Sequence, residues 1–286
     1  MSATVIKASG LTKNYGTVKA LDGIDFTVEP GRILGLIGRN GAGKTTTLKA
    51  VLGLTPFAGR LRVLGLDPFR QRHALMKRVS FIADVAVLPR WIKIGQLIEY
   101  MASSHPNFDS ERALRFLNRD ELRLNTRVKT LSKGMVTQLH LALVMAIDAD
   151  LLVLDEPTLG LDIVYRKKFY DALLNDYFDR SRTIIVSTHQ VEEMEHILTD
   201  VLFIDRGRVL LSSTIDDLAQ RYCEVRVPLS READARRLGP IAERDSFGQK
   251  IMLFEDCLAE DLQMLGEIRV PRIADLFVAK VSGERA

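Results

Sequence analysis

One stretch narrows what this chain can fold into more than any other: an apolar run, a glycine-rich loop and a Lys-Thr pair in succession. Ile33-Leu34-Gly35-Leu36-Ile37 reads as a buried strand, and Thr46-Thr47-Leu48-Lys49-Ala50-Val51-Leu52 reads as a helix. The residues between them, Gly38-Arg39-Asn40-Gly41-Ala42-Gly43-Lys44-Thr45-Thr46, fit the spacing G-x-x-x-x-G-K-[S/T] of a loop that wraps nucleotide phosphates. Glycines let successive N–H groups turn toward one anion without a Cβ in the way. Lys44 offers a positive charge to the outer phosphates, and the Thr45 hydroxyl is a ligand for Mg²⁺. The helix behind the loop turns its positive end to the same place.

The chain reads as an α/β core with two additions. Strands are expected at Thr4 to Ala8, Ala20 to Val28, Gly59 to Gly65 and Val79 to Ala83. From about residue 85 to 150 helical spacing takes over, at Ile94 to Ser104, Asp109 to Leu117 and Thr137 to Ile147, which predicts an inserted helical subdomain. The core resumes at Leu151-Leu152-Val153-Leu154-Asp155-Glu156, a buried strand delivering two acids to its C-terminal edge. Beside a phosphate loop, one acid is suited to Mg²⁺ and the next to polarising a water; read alone, the pair is a solvated turn. A helix is expected from Ile163 to Phe178, then a strand from Thr183 that ends at Ser187-Thr188-His189. His189 there either reaches a γ-phosphate or caps and packs. Tyr15 either stacks on an adenine ring or half-buries in a turn. A terminal hairpin is expected around Arg206-Gly207. The first domain is expected to run from residue 1 to 219. Residues 220–286 form a small α+β appendix with strands at Glu224 to Val227 and Lys250 to Phe254, without convergent acids or histidines.

These elements resemble, over roughly residues 3 to 215, the ATP-binding subunit of an ABC transporter: Tyr15, GRNGAGKTT, Leu131-Ser132-Lys133-Gly134-Met135, LLVLDEP, Leu159-Gly160-Leu161-Asp162 and His189 follow in order. The resemblance implies a P-loop NTPase fold of the ABC ATPase type. It also implies a head-to-tail homodimer, or a dimer with a related ATPase, that closes on two ATP molecules. In that arrangement Tyr15 stacks on adenine, and Gly38, Arg39, Asn40, Gly41, Ala42, Gly43, Lys44, Thr45 and Thr46 wrap the phosphates. Thr45 and Asp155 hold Mg²⁺, Glu156 is the catalytic base, and His189 senses the γ-phosphate. Ser132 and Gly134 donate to the γ-phosphate of the opposite subunit, and Asp162 lies at the dimer contact. The signature departs from the usual Leu-Ser-Gly-Gly-Gln at Lys133 and Met135. Lys133 either strengthens ATP-driven closure or is a solvated surface lysine. Asp84 stands where the family has a glutamine; a carboxylate ligates Mg²⁺ but donates no hydrogen bond when ionised, so slow turnover is expected.

The relaxed signature and the appendix resemble the export branch, whose ATPases drive a separate membrane permease for drugs, peptides, polysaccharides or lipids. No apolar run here is long enough to span a bilayer and no signal pattern is present, so a cytoplasmic chain, peripheral on the inner face of the membrane, is expected. A net charge of +3 spread along the chain leaves no strong footprint for nucleic acid. Two competing readings stand beside this one. A soluble relative acting on DNA or ribosomes would carry a long coiled coil or a second cassette; a regulatory binding module would have lost catalysis, against which Lys44, Thr45, Asp155, Glu156 and His189 are all present, while Asp84 keeps that reading open.

Overall fold

The computed structural model describes residues 4–82, 88–119, 122–179 and 181–283. In chain order the strands are β1 (Ile6–Tyr15), β2 (Val18–Val28), β3 (Ile33–Ile37), β4 (Ala58–Val63), β5 (Val79–Ile82), β6 (Leu151–Asp155), β7 (Thr183–Thr188), β8 (Asp200–Asp205), β9 (Arg208–Thr214), β10 (Tyr222–Pro228), β11 (Ala242–Ser246), β12 (Gln249–Glu255) and β13 (Glu267–Arg269). The helices are α1 (Lys44–Val51), α2 (Arg72–Met76), α3 (Ile94–Ser104), α4 (Ser110–Arg119), α5 (Lys133–Met145), α6 (Ile163–Ala172), α7 (Ile215–Arg221), α8 (Glu232–Arg237), α9 (Ala259–Gln263) and α10 (Ile273–Gly283).

A six-stranded sheet in the order β5-β6-β7-β3-β8-β9 is parallel except for the β8–β9 hairpin. Its central strands β3, β6 and β7 are buried at every position because both faces are covered, and they are mostly apolar. Ile33 and Ile37 of β3, Leu152 and Leu154 of β6 and Ile184 and Val186 of β7 face a core shared with the helices. Leu34, Leu36, Leu151, Val153 and Ile185 point the other way, into a second core closed by α1 and the antiparallel sheet β2-β1-β4. The period-2 alternation thus builds two layers from one run of residues. The C-terminal ends of β3, β6 and β7 bring the phosphate loop, the two acids and the histidine to one edge.

Several elements run differently from the expectation. Strand β1 continues to Tyr15, where the two-residue turn Gly16-Thr17 returns the chain into β2 with Tyr15 opposite Val18. Helix α5 begins at Lys133, four residues before the expected Thr137, because the Ser132 side chain accepts from the Met135 N–H and caps it. The helix expected through Phe178 is α-helical only to Ala172; a π turn over Leu173–Tyr177 follows and buries both Leu173 and Tyr177. The boundary expected between residues 219 and 220 falls inside α7, whose Leu218 joins the core facing the helices. Beyond it, the sheet β11-β12-β10-β13 packs α8 and α9 through Val225, Val227, Met252 and Phe254.

Candidate functional site

The phosphate loop is held shut by its own packing. A Cβ at Gly38 would lie 2.4 Å from the Ile204 carbonyl oxygen, and one at Gly43, where φ is +113°, would lie 2.7 Å from the Ala20 carbonyl oxygen. Only glycine fits at either position. The Ala42 carbonyl accepts from the Gly207 N–H at 2.8 Å, tying the loop to the β8–β9 turn. Arg39, Asn40, Gly41 and Thr45 are exposed, while Ala42 and Lys44 are buried. The first-turn N–H groups of α1 have no partner within the helix, and the end of the helix faces the loop.

Lys44 is turned inward. Its Nζ donates to the Gly38 carbonyl at 2.8 Å and lies 3.2 Å from Glu156 Oε1. The other oxygen of Glu156, Oε2, is 2.8 Å from His189 Nδ1. Asp155 ends β6 directly beside Ser187 of β7, and its Oδ1 accepts from the Ser187 hydroxyl. Glu156 leaves the strand in the left-handed region, φ +47°, which costs a non-glycine residue about 1 kcal/mol or more. Lysine, histidine and two carboxylates thus converge at one end of the sheet.

A second group lies around the signature. Ser132 caps α5, and a Cβ at Gly134 would find nothing closer than the Gly160 carbonyl and Ser132 Oγ, both at 4.0 Å. The glycine is therefore not demanded by this chain's own packing. Asp162 caps α6 through Oδ1, which accepts from the Val164 N–H at 2.9 Å and the Tyr165 N–H at 3.0 Å. Next to it Ile163 is 82% exposed and Val164 59% exposed, an apolar pair left on the surface. Residues 156–162 join this group to the first one. Tyr15, 48% exposed, stands at the tip of the β1–β2 hairpin, five residues before the Ala20 that closes over Gly43. Asp84 lies outside the described residues.

The acids suit a cation that brings its own ligands. Glu156 Oε1 is buried without an aligned hydrogen-bond donor, and Asp155 has spent only one oxygen on Ser187. Among the described residues no group of three or more His, Cys, Asp and Glu can hold a metal alone. Such a donor set fits Mg²⁺, which keeps waters and phosphate oxygens alongside one or two protein ligands.

Comparison with known proteins places the fold. The ABC transporter family profile matches residues 21–159. A daunorubicin resistance ATP-binding protein, DrrA3 of Streptomyces coeruleorubidus, is 34% identical over 76% of this chain and 71% of its own length. A Nod factor export ATP-binding protein I from Ralstonia nicotianae is 31% identical over 92% of this chain and 84% of its own. The chain belongs to the ABC transporter family of ATP-binding proteins. It is an ATPase of that family, with relatives of the export type. The solved ATP-binding subunit of an ABC transporter superposes with a TM-score of 0.69 at 25% identity, covering 76% of this chain and 92% of that one. The match to the Ralstonia relative covers too much of this ABC chain to end at residue 219, so it includes part of the C-terminal sheet as well.

Sequence reasoning gave no role to Ser187, which touches both acids, or to Arg166. The Arg166 guanidinium donates to the Leu161 carbonyl at 2.8 Å and to Gln190 at 2.7 Å, and pairs with Glu193. It links the turn before Asp162 to the segment after His189. Neither residue belongs to a motif; the only sequence signal is a serine directly after the apolar run Ile184-Ile185-Val186.

Proposed function

We propose that this ABC ATPase works as a head-to-tail pair whose closure on ATP and reopening after hydrolysis drive a separate membrane permease that exports a drug, peptide, lipid or polysaccharide. The observation that carries the hydrolytic part is the buried contact of Lys44 with Glu156, itself held by His189. Glu156 accepts the proton of the attacking water, and His189 keeps its carboxylate aimed. Lys44 exchanges Glu156 for the outer phosphate oxygens, which frees the base as the nucleotide enters. The first-turn N–H groups of α1 donate to the phosphates, and Tyr15 supports the adenine. Thr45 and Asp155 would hold Mg²⁺, which would supply positive charge against the phosphate oxygens.

The pairing is supported by the signature. Ser132 and Gly134 open a 13-residue helix whose end is uncrowded, as a site for an anion brought by another subunit would be. The exposed Ile163 and Val164 beside Asp162 give that contact an apolar margin. No helix among the described residues is long and apolar enough to cross a membrane, and the proposal gives the membrane-spanning part to a separate permease on which this chain sits. The exporter reading draws on the relatives' names, which concern daunorubicin resistance and Nod factor export. The test is to purify the tagged chain from native membranes and assay it. An integral membrane protein should co-purify, and ATPase activity should fall by about 10²–10⁴-fold in Glu156→Gln. Recovery with ribosomes or DNA instead, or activity untouched by Glu156→Gln, would refute the proposal.

A further inference from the structure

The end of β7 grips both acids of the site through one hydroxyl. Ser187 is fully buried, and parallel pairing of β6 with β7 sets it directly opposite Asp155. A serine hydroxyl has one proton to give and lone pairs to accept with. Here it gives the proton to Asp155 Oδ1 and accepts the Glu156 N–H at 3.1 Å, while the Ser187 carbonyl shares that N–H at 3.2 Å. Two residues on, His189 takes the Glu156 side chain. Glu156 needs such a hold, because its left-handed backbone is costly unless surrounding contacts over-determine it.

We infer that Ser187 is a positioning residue for ATP hydrolysis: its hydroxyl occupies one oxygen of Asp155, leaving the other for the metal, and fixes the backbone angle from which Glu156 reaches the attacking water. An alanine in its place strands Asp155 Oδ1 without a donor and leaves Glu156 N–H on a single carbonyl. The inference rests on the hydrolytic role proposed for Asp155 and Glu156.

The test compares wild type, Ser187→Ala and Ser187→Thr in the full chain. ATP turnover is measured, and Mn²⁺ affinity is read by electron paramagnetic resonance with a non-hydrolysable ATP analogue bound. Loss of an outer hydrogen bond to a metal ligand costs about 10–100-fold in activity or metal affinity, and Ser187→Ala should lie in that range for kcat and Mn²⁺ binding. KM for ATP should change by no more than about threefold, since nothing that touches the nucleotide is removed. Ser187→Thr, which keeps the hydroxyl, should recover most of both losses. Wild-type kcat and Mn²⁺ affinity in Ser187→Ala would overturn the inference, as would a threonine variant no better than alanine. If the wild type hydrolyses no ATP, the proposed function fails, and the Mn²⁺ titration still decides whether Ser187 orients Asp155.

Discussion

Lys44 illustrates how one side chain can serve a fold and a reaction. It is 6% exposed, and a cation so buried persists only with partners, here the Gly38 carbonyl and Glu156. Lys44→Ala should weaken ATP binding by about 10–100-fold, the worth of a charged hydrogen bond, as read by titration with a fluorescent analogue. Glu156→Gln should lower kcat by about 10²–10⁴-fold with ATP affinity retained. Gly38→Ala meets backbone rather than a movable side chain, so it should cost about 1–3 kcal/mol in thermal unfolding. These three positions were legible in the sequence because each belongs to a spaced motif. Ser187 was not, since a serine between an apolar run and Thr188 carries no spacing.

At the scale of elements, caps decide where the helices near the site begin. Ser132→Ala and Asp162→Ala should each cost about 1 kcal/mol of stability through a lost cap. Asp162→Asn should keep that stability, because asparagine caps equally well, so any loss of ATPase in it reports a role beyond capping. The sequence located the long periodic helix α3 but missed β11 and β13. Strand β11, Ala-Glu-Arg-Asp-Ser, is an edge strand with no buried residue, and such a strand has no apolar alternation to read. It missed the π turn because five-residue spacing hides inside a 3.6-residue pattern. That turn seats Tyr177, and α6 seats Tyr170, out of reach of solvent. Burial pushes both phenols up to about 12. A raised pKa stabilises the fold below the ordinary phenol range and loses that contribution as pH climbs toward 12. In a 295 nm titration, these two of the six tyrosines should ionise last, together with the alkaline loss of folding.

For the whole molecule, the C-terminal chain is bound into the ATPase core. After the four-stranded sheet, α10 returns to it: Phe277 meets Phe203 edge-on at 5.3 Å, and the Ile273 N–H donates to Glu195 at 3.0 Å, just past the His189 segment. Leu276, buried in the same core, should cost about 2–5 kcal/mol when cut to alanine, in one cooperative transition. Helix α7 runs through residues 219 and 220, so the chain passes from one part to the other without leaving the helix. What the molecule's own packing leaves open is the signature. Gly134→Asp places a carboxylate in uncrowded space at the head of α5, so the fold is kept while an approaching γ-phosphate is repelled. The decisive measurement is ATPase rate, ATP affinity and light-scattering mass of that variant beside wild type over a dilution series. Gly134→Asp should be a monomer with wild-type ATP affinity and under about a tenth of the wild-type rate, and the wild-type rate per subunit should fall on dilution. A dilute wild-type monomer with full ATPase activity, or a Gly134→Asp chain that hydrolyses ATP as wild type does, would contradict the head-to-tail pairing.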